Sequence, residues 1–292
     1  MLRKWVFTII ISLSFFFTSL ADGKVIEWIN EYLGTDSNMI RDDQGWIDWL
    51  TSEGYQINVR SLSSDSNRYW YNGIDDVPLS EGMLEYLNSA DLVIISRNAD
   101  CDDFSNGSNE ATSWNNDVTT SILSTLVTQL SSDNWGWLNI VNNEANLYYP
   151  QHPKLEAVLP EHPMFFNVSL DPDNQISIIN PAVGWLPDDS NASGIPGTQT
   201  FFRTTSAGNG NIIAKIGDGT DYVWIAEWPK SKTIPYYAGG TYSPAGSKRM
   251  VFSAGLQDNS SDLPETPGTA RGALNLNNAG KKLFVNAVRY MT

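Results

Sequence analysis

The sequence has little cysteine, little histidine and few basic residues. Cys101 is the single cysteine among 292 residues, so no intramolecular disulfide can stabilise the fold. Two histidines, with no H-E-x-x-H motif and no cysteine partner, make a poor zinc site. Lysine and arginine number 18 against 33 acidic residues, and the net charge of -15 argues against binding to nucleic-acid phosphates. Stability must come from packing, for which the 11 tryptophans supply apolar surface.

The chain has one long apolar run, and it lies at the amino end, where basic residues precede the apolar residues 5–17. Small residues follow, and cleavage is expected after Ala21. This pattern is typical of a secretory signal peptide over residues 1–21, which leaves residues 22–292 as a single domain. The alternative is an uncleaved membrane anchor, for which the run is short. We expect a secreted protein, extracellular or periplasmic, with no membrane attachment after cleavage.

The first half of the mature chain alternates between strand-like and helical patterns. Apolar and β-branched runs predict strands at residues 24–30, 55–60, 92–96 and 135–141. Apolar residues at helical spacing predict helices at 44–54, at 80–87 and within 109–130, the last as one long helix or two short ones. This order predicts an α/β fold, doubly wound and flavodoxin-like, with a mostly parallel sheet and helices on both faces.

The second half has a different texture. From residue 142 onward, prolines are frequent and short alternating runs are separated by Gly and Asp turns. These patterns predict hairpins and sheet extensions, so we expect β-rich C-terminal insertions. Residues 275–290 carry Leu283, Phe284, Ala287 and Val288 at helical spacing and predict a final helix that packs on the sheet.

The segment D-L-V-I-I-S at residues 91–96 fits a central strand that is buried on both faces. The polar and acidic residues 97–103 follow it directly. Open α/β sheets bind their ligands at the carboxyl ends of the strands. We therefore expect Asn98, Asp100 and Asp102 to contact a ligand.

Several segments together resemble a known superfamily. They are K-V-I-E-W-I-N from Lys24, D-Q-G-W-I-D-W-L from Asp43, the strand at 91–96, E-H-P-M-F-F from Glu161, the pairing of A-E-W-P with K-R-M-V-F, and the ending G-K-K-L-F-V-N-A-V. The chain resembles the class I glutamine amidotransferase-like superfamily, and within it the trehalose-utilisation-like (ThuA-like) branch and related secreted bacterial proteins of unassigned function. The resemblance covers most of the mature chain and implies a flavodoxin-like core more firmly than an activity.

The expected nucleophile is missing. Amidotransferase relatives carry a cysteine on a tight turn between a strand and a helix, and the corresponding strand end is expected at residues 138–144. That segment holds no cysteine or serine. Cys101 follows a different strand, and its acidic neighbours disfavour a reactive thiolate. We therefore expect no catalytic residues and a small-molecule or glycan ligand at the carboxyl edge of the sheet. The expected ligand-binding residues are Asn98, Asp100, Asp102, Asn142, Glu144 and Trp70.

The acidic loop also raises the question of a metal. Asp100, Asp102 and Asp103 offer oxygen ligands of the kind that Ca²⁺ prefers, but the loop lacks the downstream Gly and Glu of an EF-hand. The alternative is a solvated acidic loop, in which case the protein has no cofactor.

Two other functions stay open. A carbohydrate hydrolase could work through Asp or Glu carboxylates and His162, although His162 in E-H-P also fits a turn residue bonded to the backbone, and the resemblance implies that structural role. A structural or adhesive surface protein is the third hypothesis.

Overall fold

The computed structural model describes residues 23–30, 43–61, 78–96, 108–125, 137–138, 147–149, 153–180, 199–201, 203–230, 232, 234, 246–253 and 274–292. The predicted signal peptide, residues 1–21, lies outside these ranges. Within them, no helix is long and apolar enough to cross a membrane.

These residues form strands and helices in alternation over the first half of the chain. The strands are β1 (Val25–Asn30), β2 (Gln56–Ser61), β3 (Leu92–Ile95), β4 (Ile122–Ser124), β5 (Leu147–Tyr149), β6 (Leu155–Ala157), β7 (Gln175–Ile176), β8 (Gln199–Phe201), β9 (Asn211–Ile216), β10 (Val223–Trp228) and β11 (Arg249–Phe252). The helices are α1 (Gln44–Ser52), α2 (Glu81–Ser89), α3 (Ser108–Asn116) and α4 (Asn278–Met291), with a 3-10 turn at Pro163–Phe165.

Nine of the strands form one mixed sheet in the order β2-β1-β3-β4-β11-β10-β9-β6-β7. The pairs from β2 to β11 are parallel, and the pairs from β11 to β7 are antiparallel. The prediction of a mostly parallel sheet is therefore wrong. The antiparallel half exists because strands such as β9 and β10 are joined by a short turn, which cannot connect parallel neighbours. A separate antiparallel pair is formed by β5 and β8.

Helices cover both faces of the parallel half, which confirms the α/β fold. On one face, α1 and α4 pack against alternate strand residues such as Trp28, Ile94 and Phe252. On the other face, α2 and α3 pack against the intervening residues such as Ile29 and Val93. Alternation along each strand sends successive side chains into different layers.

Most predicted elements of the first half are confirmed. Strands β1, β2 and β3 and helices α1 and α2 lie where the periodicity places them. The Ser80 side chain accepts a hydrogen bond from the Met83 backbone N–H, as expected of an N-cap. The final helix, α4, is confirmed as well, and its N-cap Asn277 accepts from the Gly280 backbone N–H at 2.9 Å.

The fourth strand is a correction. The sequence predicts one long helix or two short ones within residues 109–130, but α3 ends at Asn116, and Ile122–Ser124 pairs in parallel with both β3 and β11. The predicted fourth strand at residues 135–141 falls mostly outside the described residues, and Trp137 and Leu138 form a bend rather than a strand. The apolar spacing of Val118, Ile122 and Leu123 fits a helix as well as a strand, so periodicity alone led to the wrong prediction of a helix here.

A fully buried arginine fixes the end of α3. The Arg249 guanidinium, on β11, donates to the backbone carbonyls of Thr120, Lys248, Trp114, Asn115 and Val118, at 2.7 to 3.2 Å. A cation at a helix C-terminus also interacts favourably with the helix dipole. Burial lowers the pKa of Arg249 to about 9. This contact ties the α3–β4 connection to a strand more than 120 residues away.

Candidate functional site at the carboxyl edge of the parallel strands

The carboxyl ends of the parallel strands meet at one edge of the sheet and carry hydroxyl side chains. Strands β3, β4 and β11 are adjacent, and each leads into polar residues at this edge. The described hydroxyl residues there are Ser96, Ser124, Thr125 and Ser253, all buried. This is the edge at which the sequence predicts a ligand site.

This edge contains a topological switch point, where successive connections of the chain lead to opposite sides of β1. From β1 it passes through α1 on one face to β2, and then through α2 on the other face to β3, which lies on the opposite side of β1. Open α/β sheets form a crevice at such a switch point, outside the carboxyl ends of the two diverging strands. Here those strands are β1 and β3.

Asp43 occupies this switch point and is fully buried. Its carboxyl oxygen Oδ2 accepts hydrogen bonds from the hydroxyl of Ser96 and, at 3.4 Å, from Trp28 Nε1. Its backbone carbonyl accepts from Trp46 and Ile47 at the start of α1. The residue has φ 59 and ψ 13, a left-handed conformation that Asp tolerates better than most residues. Asp43 therefore joins the start of α1 to the end of β3.

Ser124 differs from its neighbours at this edge. The Thr125 hydroxyl donates to the Ile95 carbonyl at 3.0 Å, and the Ser96 hydroxyl reaches Asp43. Ser124 is 1% exposed, yet its Oγ has no hydrogen-bond partner among the residues that the structure describes. A buried hydroxyl without a partner costs about 1–3 kcal/mol. Such a group is a candidate for contact with a ligand.

The residues predicted to bind a ligand cannot be placed. Asn98, Asp100, Asp102, Asp103, Asn142, Glu144 and Trp70 all lie outside the described residues, as does Cys101. Within the described ranges, no three His, Cys, Asp or Glu side chains come together in a way that could hold a metal ion.

A second polar cluster lies at the amino edge of the parallel strands, on the α4 face. Oε2 of Glu227 is 3.6 Å from Nε2 of His162, and Oε1 accepts from Asn211 Nδ2 at 3.1 Å. Burial raises the pKa of Glu227, but hydrogen bonds from His162, Asn211 and Tyr290 outweigh burial and the net shift is downward. The Tyr290 ring lies edge-on to the imidazole, 4.7 Å between centroids, and Lys248 Nζ is 4.0 Å from the ring centroid.

His162 also caps the 3-10 turn. Its Nδ1 accepts from the Met164 backbone N–H at 3.3 Å, so the neutral imidazole carries its proton on Nε2, which faces Glu227. The prediction that His162 is a turn residue bonded to the backbone is confirmed. Its partner Glu227 lies 65 residues later, in an otherwise apolar strand, and no local pattern predicts the contact.

A third buried carboxyl group, Glu27, lies in the middle of β1 beneath α2. Asn58 Nδ2 donates to Oε1 at 2.6 Å, and the Tyr86 hydroxyl is a further hydrogen-bond partner. Burial raises the pKa of Glu27, partly offset by Asn58, Tyr86 and the charge of Arg60. Arg60 Nε donates to the Tyr86 hydroxyl at 2.8 Å, with its guanidinium 4.1 Å from the ring centroid. In the sequence, Glu27 is only a polar interruption of a strand.

Comparison with known proteins adds information on the fold. No protein-family model matches the chain, and no curated protein sequence matches it. Among solved structures, the chain is similar to the cytoplasmic protein STM3548 from Salmonella typhimurium, with a TM-score of 0.50 and 13% sequence identity over 91% of this chain and 98% of that chain. At this identity the similarity shows a shared fold and carries no activity across.

The carboxyl end of β4 carries hydroxyl groups. Ser124 is the last residue of the strand and Thr125 follows it, so the prediction that the corresponding strand end lies at residues 138–144, with no hydroxyl nucleophile, is wrong. His162, the histidine in the described part of the chain, lies on the α4 face. Ser124 shares the opposite face with Ile122, which packs with α2 and α3. His162 therefore cannot act as a base for Ser124.

Proposed function

We propose that this protein is a secreted, non-catalytic relative of the glutamine amidotransferase-like superfamily, in its ThuA-like branch, that binds a small molecule or glycan at the carboxyl edge of its sheet. The observation that carries this proposal is the buried, unpartnered Ser124 hydroxyl at the carboxyl end of β4, where Ser124 pairs with Ile95, the residue before Ser96 on the adjacent parallel strand. A ligand that hydrogen-bonds Ser124 would remove the cost of burying it alone.

The strand order supports the family part of the proposal. The five parallel strands run β2-β1-β3-β4-β11, which is the order 2-1-3-4-5 of a doubly wound flavodoxin-like sheet when β11 is counted as the fifth strand. In that arrangement the antiparallel strands β10, β9, β6 and β7 are an extension beyond the fifth strand. The proposed ligand crevice then lies outside β1 and β3, with Asp43 at its base.

The described residues around Ser124 support a binding role. The Ser124 hydroxyl has no hydrogen-bond partner among them, and His162 lies on the opposite face of the sheet. Hydrolysis of a substrate by a serine nucleophile needs a base within hydrogen-bond reach of the serine hydroxyl. The hydroxyl groups and the Asp43 carboxyl at this edge suit a neutral polyhydroxylated ligand, because hydroxyls both donate and accept.

A thermal-shift experiment tests the proposal. The purified protein would be heated with trehalose, maltose or cellobiose, and Ser124→Ala would be compared with Ser89→Ala, which alters an exposed serine at the opposite edge. We expect one sugar to raise the Tm of wild type and of Ser89→Ala. In Ser124→Ala, loss of one hydrogen bond of about 1 kcal/mol should weaken binding roughly fivefold. An equal shift in all three proteins would remove Ser124 from the site.

The carbohydrate hydrolase remains a second candidate because His162 lies 3.6 Å from a carboxylate, Glu227. Such a pair can perform acid-base chemistry if a substrate reaches it. Release of nitrophenol from nitrophenyl glycosides, lost in Glu227→Gln, would favour this function over binding alone. Ligand-independent polymerisation would favour the structural or adhesive role instead.

A further inference from the structure

Helix α2 is held on the sheet by few buried side chains. Met83 and Leu87 are the buried residues among its nine, whereas eight of the 14 residues of α4 are buried. Elements with few buried apolar contacts open locally at a lower free energy than the rest of a fold. The polar contacts of α2 therefore have a large share in keeping it docked.

One of these polar contacts reaches a buried carboxyl group. The Tyr86 hydroxyl is a hydrogen-bond partner of Glu27 on β1, and it accepts from Arg60 Nε on β2 at 2.8 Å. Tyr86 therefore connects α2 to polar side chains of both strands. At the C-terminal end of the helix, Asn88 bonds to two backbone groups of the α3–β4 connection. Those two bonds join neutral groups, so they do not change with pH.

Glu27 is poorly placed to carry a charge. The residue is 1% exposed, Oε1 accepts from Asn58, and Oε2 has no hydrogen-bond partner in the described part of the chain. The residue opposite it on β3 is Val93, which is apolar. Among the described residues, the ionisable groups that face Glu27 are Tyr86 of α2 and Arg60 of β2. A buried charge that is incompletely paired is costly.

This cost makes the docking of α2 depend on pH. Burial raises the pKa of Glu27, and the bonds from Asn58 and Tyr86 and the charge of Arg60 offset the effect only in part. If α2 lifts away, water reaches the carboxyl group and its pKa returns towards the ordinary value of 4.5. The docked state is therefore most stable below pH 4.5 and loses stability as pH rises through the raised pKa.

We propose that Glu27 and Tyr86 form a proton-dependent latch, in which α2 is docked on the sheet while Glu27 carries a proton and opens locally when Glu27 ionises. Opening hydrates the charged carboxylate and exposes Met83 and Leu87, the two apolar side chains that α2 buries. Arg60 limits the effect, because its cation lies near the carboxylate in the docked state. The proposal does not depend on a ligand at the carboxyl edge.

Native-state hydrogen exchange tests the latch. Exchange of the purified protein would be followed by mass spectrometry from pH 5 to pH 8, and observed rates would be compared with intrinsic rates at the same pH. In wild type, we expect α2 amides to be protected at least about tenfold less than β3 amides, because α2 opens without the whole fold. Their protection should fall at least about threefold from pH 5 to pH 8.

Two variants of carboxyl groups isolate Glu27. Glu27→Gln cannot ionise, so its α2 amides should keep the lower protection relative to β3 but lose the change with pH. Glu85→Gln removes an exposed carboxyl group from α2 itself and should behave like wild type. In Tyr86→Phe, ionised Glu27 lacks one donor, so α2 protection should fall further below wild type at pH 8 than at pH 5.

Several results would overturn the proposal. It fails if α2 protection in wild type is the same at pH 5 and pH 8, or if Glu27→Gln keeps the pH dependence, since another group would then be responsible. It also fails if α2 and β3 amides are equally protected at each pH, because α2 would then open only with the whole fold. An equal loss of protection at both pH values in Tyr86→Phe would likewise contradict the latch.

Discussion

Oε2 of Glu227 lies 3.6 Å from Nε2 of His162, and both side chains are less than one-tenth exposed. Glu227 belongs to β10, His162 precedes the 3-10 turn, and Tyr290 of α4 contacts both residues. The pair therefore connects the antiparallel half of the sheet to the final helix. Hydrogen bonds to the ionised carboxylate lower the pKa of Glu227, so this contact between the sheet and the helix is stronger when Glu227 is charged.

Replacing Glu227 should lower the stability of the folded protein by an amount that depends on pH. The net pKa shift is downward, so the stabilisation from ionised Glu227 is complete above the ordinary value of 4.5 and is lost as pH falls through the folded-state pKa. At pH 7, the free energy of unfolding of Glu227→Gln should be about 1–3 kcal/mol lower than that of wild type. Denaturant unfolding followed by tryptophan fluorescence should show that this difference in free energy becomes smaller below pH 4.5. Glu161→Gln, an exposed neighbour, should show no such difference at either pH.

Replacing Glu27 should have the opposite pH signature. Burial raises the pKa of Glu27, so the folded state keeps a proton that the unfolded chain releases above about pH 4.5. Wild type therefore loses stability from this group as pH rises from 4.5 through the folded-state pKa. Glu27→Gln cannot ionise and should gain stability relative to wild type between pH 4.5 and pH 8. If the stability of Glu27→Gln relative to wild type fell between pH 4.5 and pH 8, that result would contradict a raised pKa for Glu27.

Replacing Arg249 should destabilise the whole fold. Its guanidinium donates to carbonyls of α3 and of the α3–β4 connection, and methionine would remove all of these hydrogen bonds. We expect Arg249→Met to lower the free energy of unfolding by at least about 3 kcal/mol. Arg249→Lys should be intermediate, because one ammonium cannot reach all the carbonyls. Lys154→Met, which removes an exposed cation, is the control and should leave the denaturation midpoint unchanged.

The two buried serines at the carboxyl edge should respond differently to alanine. Ser96 donates to the buried Asp43 carboxyl, whereas the Ser124 hydroxyl has no partner among the described residues. Ser96→Ala should cost about 1.5–3 kcal/mol, the range for hydrogen bonds to charged groups. Without ligand, Ser124→Ala should not lower the free energy of unfolding and should raise it by up to about 1–3 kcal/mol, because it removes a buried hydroxyl that has no partner. Equal losses in the two variants, measured by denaturant unfolding, would mean that Ser124 has a partner in the folded protein.

The elements that could be predicted are those whose signals are local. Ser80 as an N-cap, the apolar face of α1 and the β-branched run of β3 each express a preference of neighbouring residues. Strand β4 gave no such signal, because three residues are too few to show a period. Its pairing partner β11 begins at Arg249, 125 residues after Ser124.

The candidate site was predicted only by location. It follows from the rule that ligands bind at the carboxyl ends of parallel strands, and the proposed ligand residues, such as Asn98 and Asp100, lie outside the described part of the chain. Asp43, Ser96 and Ser124 were missed. Nothing near them in the sequence signals that a side chain at the start of α1 meets the end of β3.

The sequence by itself determined the alternation of strands and helices in the first half, the acidic charge, the absence of disulfides and the final amphipathic helix. These properties depend on composition and on the spacing of neighbouring residues. Tertiary structure alone decided the mixed sheet, the identity of the fourth strand and the pairing of Glu227 with His162 and of Asp43 with Ser96. Each of these is a contact between residues distant in sequence, and it forms because burial makes an unpaired polar group costly wherever its partner lies.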